Sequence, residues 1–299
     1  MLSYLIFTLT VGGIYALLAL SLNLVWGTAG MVNLGLAGFF ALGGYATAIV
    51  TGSGAPIFLG MLAAVAFGVG AGCILTLATL RLRDDYLAIV TLGFAEVLRL
   101  VALNERWLTH GADGLSGIPA PFKQELGPFG FNVFYFALVS GVVLIVALFM
   151  RRLDRSPYGR ALKAVREDQE LVAFAGKPVQ RFKVEAFALA AGLAALAGAL
   201  YGHYQSFISP EHFQPLLTIY IFLAVSAGGV GRPAGAVLGA YAVILYIEAT
   251  RFAAAAVPGI SAVQGAALRE MMVGAALIVI LRWKPSGIMP EQIPAAKEG

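Results

Sequence analysis

The chain has 299 residues, 60% of them hydrophobic and only 12% charged, with 36 glycines and a formal net charge of +4. That balance excludes a water-soluble domain of this size, which would lack the polar residues to cover its surface. It excludes a transmembrane β-barrel as well, because barrel strands alternate polar and apolar residues whereas "LAAVAFGVGAGCILTLATL" is continuously apolar.

What remains is an all-α fold, a polytopic transmembrane helical bundle forming one integral-membrane domain over residues 1–299. An apolar helix crosses hydrocarbon in about 20 residues. The N-terminal "MLSYLIFTLTVGG" carries no basic residues ahead of its apolar run and reads as a first span rather than a cleaved signal. Further spans are predicted at residues 2–26, 32–50, 57–80, 86–104, 133–150 and 184–207. Two shorter apolar pieces follow at 216–227 and 236–249, then a last span at 264–283. A twelve-residue piece is short for a crossing, so the two pieces flanking "GGVGRPAG" form either a broken or re-entrant pair or two full crossings, of the same parity, giving about 8–9 spans.

The lone Cys73 sits in an apolar run and reads as a small packing residue, so neither an intrachain disulfide nor a cysteine-based metal site is available. The basic residues report orientation instead. Arg151, Arg152, Arg155, Arg160, Lys163, Arg166, Lys177, Arg181 and Lys183 crowd the loop at 151–183, Arg81 and Arg83 fall on the same side by parity, and Arg282 and Lys284 do too. This side is therefore predicted to be cytoplasmic, with the N-terminus outside and the C-terminus inside.

Within that loop, residues 156–183 are ordered in their spacing. Ser156 followed by Pro157 is a helix start, and Gly176 ahead of Pro178 is a stop. Leu162, Val165 and Val172 fall near one face, and Arg160, Lys163, Glu167 and Glu170 near another. One or two short amphipathic helices result. A loop lying on anionic headgroups would explain the basic residues, but not the acidic "EDQE" or the paired start and stop signals. A mixed-charge amphipathic helix suits docking into a soluble partner's groove.

"SPYGRALKAVREDQELVAFAG", together with "SLNLVWGTAGMVNLGLAGFFALGGYATA", "DDYLAIVTLGFAEVLRL", "HGADGLSGIP" and "SAGGVGRPAGAVLGA", resembles in content and order the permease subunits of branched-chain amino acid ABC importers. The resemblance covers nearly the whole chain. It implies a cytoplasmic coupling helix with a Glu-Ala-Ala type pattern and a glycine a few residues on. Arg166, Glu167, Asp168, Ala173 and Gly176 are the matching positions, although Asp168 and Gln169 stand where the general pattern has alanines. It also implies a second, related but different permease chain, two ATPase subunits that carry ATP and magnesium, a periplasmic binding protein, and a bacterial inner membrane. The substrates implied are leucine, isoleucine and valine, with urea, short amides or other amino acids as alternatives. No cofactor, metal or nucleic acid is expected on this chain.

Polar residues inside spans are costly and are candidates for the translocation path. Glu96 falls roughly 15 Å into its span, with Arg99 one turn on. Such a pair either ties helices together or lines the path. Asn23, Asn33 and Tyr45 flank the first inner turn, where they either line the path or bond between helices. His203 and Tyr204 sit near the outer end of their span, suited to a pore mouth or a binding-protein contact, and Glu248 with Arg251 reads as a structural pair. Glycines four apart, Gly68 with Gly72, Gly198 with Gly202, and Gly231 with Gly235 and Gly239, favour close helix packing.

Two enzyme-like signals are weak. "GLSG" around Ser116 lies in a polar outer loop, away from any span that could supply a base. "GGVGRPAG" lacks the lysine–serine pair of a phosphate cradle. A transport subunit without catalysis of its own is expected. A self-sufficient secondary transporter or channel is the competing class, disfavoured because few ionisable residues lie deep in the spans.

Overall fold

The computed structural model describes residues 2–79, 84–255, 262–284 and 286–291. The orientation markers Arg81 and Arg83 lie outside these residues. Helix α1 (Leu2–Leu22) runs directly into a π turn, Asn23–Thr28, where the Ala29 N–H reaches back five residues to the Leu24 carbonyl at 3.1 Å. This wider turn opens the backbone at the C-terminal end of α1. After an irregular stretch come α2 (Leu36–Gly52), α3 (Ile57–Thr79), α4 (Asp84–Asn104), the single turn α5 (Arg106–Thr109), and the long α6 (Lys123–Arg155), which kinks where Gly127 takes φ 64° ahead of Pro128. Two short helices, α7 (Pro157–Glu167) and α8 (Gln169–Phe174), precede α9 (Val179–Gln205), α10 (Pro215–Gly228), α11 (Pro233–Ala255) and α12 (Ala262–Trp283).

Burial separates an inner layer from an outer one. Two-thirds of the most apolar stretch of α1 and of α9 is buried, against 6% in α12, so α1 and α9 form the centre and α12 the periphery. Helix α9 packs against α2, α3 and α1, while α11 packs against α1 and α10. Outward-facing Phe58, Phe67, Ile74, Ile145 and Ile278 give the outer helices the apolar surface that hydrocarbon requires.

Close approach explains the glycines. A Cβ on Gly43 would stand 1.9 Å from the Ala195 carbonyl oxygen, and one on Gly198 would stand 1.9 Å from that of Phe40, so only hydrogen fits where α2 crosses α9. Gly68 and Gly72 of α3 meet Ala195 and Ala191 in the same way. These contacts lie within one chain and hold its three helices at backbone distance.

The structure distinguishes the two apolar pieces that flank "GGVGRPAG". Helix α10, at 14 residues, is short, but α11 is not, because Pro233–Phe252 alone is long and apolar enough to cross. Helix α11 runs beyond the piece predicted at 236–249 and carries Glu248 and Arg251. These two lie 3.6 Å apart, and the Tyr4 hydroxyl donates to Glu248, so lateral partners absorb the charge and the helix continues. Among the described residues seven helices reach crossing length, while α2 (17 residues) and α10 are shorter. The stretch between α5 and α6 pairs with the one after α9 in a two-residue antiparallel ladder, Leu115 opposite Ile208 and Ser116 opposite Phe207, which makes Ser116 an exposed strand residue.

Candidate functional site

The segment between α6 and α9 folds as two capped helices. The Ser156 hydroxyl accepts from the Gly159 N–H at 3.1 Å, with Pro157 at the first helical position. Helix α7 ends at Glu167. Asp168 then opens α8, its Oδ1 accepting from the Glu170 and Leu171 N–H groups at 3.0 and 2.9 Å. Gly176 takes φ 77°, the left-handed conformation of a helix stop, and its N–H bonds the Ala173 carbonyl at 2.9 Å. Leu162, Val165 and Val172 are all buried, and Tyr158 packs on Phe182 of α9 at 5.5 Å between ring centroids. The opposite side is exposed. Leu171 is 66% and Phe174 89% accessible, and Ala173 and Gly176 lie beside them in the open.

Arg166 fastens this segment to the bundle. One guanidinium nitrogen donates to the Gly27 carbonyl at the end of the π turn and to Glu291 at 2.9 Å, while the other donates to Glu167, also at 2.9 Å. Lys163 reaches the same Glu291 at 2.7 Å. The tail carrying Glu291 is itself pinned, since the Ile288 and Met289 N–H groups donate to the Ala227 and Gly228 carbonyls at 2.8 and 2.9 Å. Asn23 completes the junction by accepting from the Gly231 N–H at 2.8 Å. Four segments far apart in sequence, 23–30, 163–167, 227–231 and 287–291, thus meet at one end of the bundle. A cavity of about 810 Å³ opens beside them, rimmed by Arg151, Arg155, Arg160, Lys163 and Arg232.

Charge tightens the junction. Burial works against ionised Glu291, but hydrogen bonds and attraction from Lys163 and Arg166 outweigh it and hold its carboxyl below the ordinary value of 4.5. Burial likewise opposes the Arg166 charge, and its bonds to Glu167 and Glu291 outweigh it, raising its pKa. Glu291 therefore binds a proton less readily when folded than when unfolded. The stability it adds is fully present above pH 4.5 and drains away as the pH falls through the lowered native value. Amide exchange at 287–291 is expected to stay slow from neutrality to about pH 5, once intrinsic rates are corrected, and to quicken in stronger acid. Early quickening, between pH 7 and about 6, would place the tail's anchor elsewhere.

The other predicted residues fall into separate places. Asn33 is buried, and its side-chain oxygen accepts from the Gly35 N–H at 2.9 Å within its own loop. Tyr45 is buried against Phe213, and among the described residues its hydroxyl has no hydrogen-bond partner. His203 uses both ring nitrogens, toward Thr47 Oγ1 at 2.8 Å and the Pro119 carbonyl at 2.7 Å, tying α9 to α2 and to the stretch between α5 and α6. The Tyr204 hydroxyl donates to Asn132 at 3.0 Å, and its ring stacks on Tyr135. Glu96 and Arg99 form a forked ion pair on α4, at 2.5 and 2.9 Å.

Glu291, Gly27, Leu171 and Phe174 belong to the junction or its exposed face and escaped the sequence reading. Leu171 and Phe174, three apart and on the side away from Val172, carried a usable helical signal. Glu291, beyond the last apolar run, carried none.

A family model described as the permease component of the branched-chain amino acid transport system matches residues 4–281. The high-affinity branched-chain amino acid transport system permease protein LivM of Escherichia coli (strain K12) is 32% identical over 307 residues, covering 95% of this chain and 69% of that protein. The probable branched-chain amino acid transport permease protein LivM of Methanocaldococcus jannaschii is 29% identical over 225 residues, covering 74% of this chain and 64% of the relative. The autoinducer 2 import system permease protein LsrC of Salmonella typhi is 28% identical over 160 residues, covering 51% and 44% respectively. A match along almost the whole helical bundle, the segment between α6 and α9 included, places this chain in the family of branched-chain amino acid transport system permease components.

Proposed function

We propose that this chain is one of two permease subunits of an ABC importer for branched-chain amino acids, with its basic end in the cytoplasm and α7–α8 docked on an ATPase subunit. The observation that carries this reading is the exposed pair Leu171 and Phe174 on a short helix that is capped at both ends and anchored through Arg166. A water-facing phenylalanine 89% accessible gains nothing in the isolated chain, whereas seating it in a partner's apolar pocket removes it from water. A second permease chain, a binding protein delivering substrate to the outer face, and hydrolysis confined to the ATPase subunits complete the assembly.

The test is co-purification in detergent with the candidate ATPase subunits. F174D is expected to cut ATPase recovery by about tenfold or more, since a central interface aromatic contributes ~2 kcal/mol or above. Its level in the membrane is expected to match the parent, because the side chain packs on little within the chain. If the parent chain retains no ATPase under any condition the importer reading fails, and if F174D retains it fully the docking face lies elsewhere.

A further inference from the structure

The Glu96–Arg99 pair sits at a depth and on a face that hydrocarbon does not suit. Apolar α4 runs from Tyr86 to Asn104, so Glu96 lies roughly 15 Å in, near the mid-plane of a hydrocarbon core of about 30 Å. Helix α4 packs on α2 and on the stretch just before it, where Thr91 accepts from the Leu34 N–H at 3.0 Å and Ala95 abuts Gly38. The ion pair stands on the shoulder of that contact. The Glu96 side chain is 37% and the Arg99 side chain 22% accessible, so the charges reach the subunit surface. Facing lipid, an accessible ion pair at this depth would be strongly unfavourable.

The surroundings are chemically specific. Ile89, Val97 and Leu100 are exposed along the same open face, and among the described residues nothing beyond the local helix backbone lies within 4 Å of where a Cβ on Gly93 would stand. A carboxylate, a guanidinium and an apolar stripe with open space beside it therefore share one surface. Among the described residues, the Arg99 guanidinium bonds only Glu96, through Nε and Nη2, leaving Nη1 available.

We propose that Glu96 and Arg99 form a transient station for the zwitterionic head of an apolar α-amino acid, on a water-accessible face of α4 that lines the translocation path. The Glu96 carboxylate takes the ammonium, Arg99 takes the carboxylate, and Val97 and Leu100 flank the apolar side chain. One internal ion pair opens into two intermolecular ones, and the net charge of the site stays at zero throughout, so neither entry nor departure strands an uncompensated charge. The proposal rests on the transport function proposed above and adds where the substrate's charges are met.

The experiment uses the assembled transporter in proteoliposomes, in a C73A background. V97C is expected to react with a membrane-impermeant, charged thiol reagent, with leucine import falling on modification, while I145C on the outer face of α6 stays unreactive. E96Q/R99Q, which removes both charges and keeps hydrogen-bonding bulk, is expected to lower leucine, isoleucine and valine import about tenfold or more, with ATPase activity stimulated by the binding protein kept within about twofold of the parent. A pair serving only to hold α4 in place would instead lower import and assembly together, or neither. Parent-like import by E96Q/R99Q, or a V97C protein that does not react, overturns the inference while leaving the transport function intact. A parent complex that imports none of the three amino acids overturns that function first, and this inference with it.

Discussion

Replacing Arg166 with alanine is expected to lower amino-acid import about tenfold or more, while the ATPase subunits still co-purify with the chain. Arg166 does not form the exposed docking face, which belongs to Leu171 and Phe174. It joins α7 to the π turn through Gly27 and to the tail through Glu291, with its side chain 21% accessible. Hydrogen bonds to charged groups contribute ~1.5–3 kcal/mol each, so its loss frees α7 from the two elements that would carry its displacement into the bundle. Lysine keeps the charge but cannot fork between a carbonyl and two carboxylates, so R166K is expected to fall between parent and alanine. K163A removes one contact to Glu291 and leaves the Gly27 bond, and its loss is expected to be the smaller. Measured as amino acid moved per ATP hydrolysed, R166A should fall steeply. An unchanged ratio would show that displacement reaches the bundle by another route.

The second large effect is steric. G43A or G198A places a methyl group 1.9 Å from a backbone oxygen at the α2–α9 crossing, and no rotamer relieves a clash with backbone. Overpacking typically costs ~1–3 kcal/mol and more where backbone must move. Either variant is expected to reach the membrane and lose most of its thermal stability in detergent. G70A is the matched control, since its Cβ would meet nothing within 4 Å, and exchanging a mid-helix glycine for alanine adds up to ~1 kcal/mol. A thermal-shift assay on the three purified proteins decides the matter. Parent-like melting of G198A would mean that α2 and α9 tolerate a wider crossing.

Much of this architecture was legible in the sequence for identifiable reasons. Charge is rare in the chain, so the segment from Ser156 to Lys183 stood out, and its Ser-Pro start and glycine stop are local signals that the backbone obeys. The burial of Leu162, Val165 and Val172 followed from helical period alone. Asp168 illustrates the limit of pattern matching, since it also caps α8, a local backbone role that a match to a coupling motif does not convey. The full length of α11 was less legible, since Arg251 lies just past the apolar piece at 236–249, and only the fold brings Tyr4 alongside its neighbour Glu248. The Arg166–Glu291 contact spans 125 residues, and no spacing rule reaches that far. The Glu96–Arg99 pair was visible as a one-turn couple, but which side of α4 lies open emerges only once α2 is packed against it.

The position of α2 has a consequence for how the chain is made. At 17 residues, with glycines that accept only a backbone neighbour, α2 finds its main contacts in α3, next in sequence, and in α9, which begins about 127 residues after α2 ends. At roughly 5–20 residues per second the ribosome needs about 6–25 s to supply that partner. Through this interval a helix too short to sit comfortably across the bilayer waits with its glycine flank uncovered. Biogenesis of the protein is therefore most vulnerable before α9 is synthesised, and a nascent chain halted between α6 and α9 is the form that quality-control proteases should find easiest to extract.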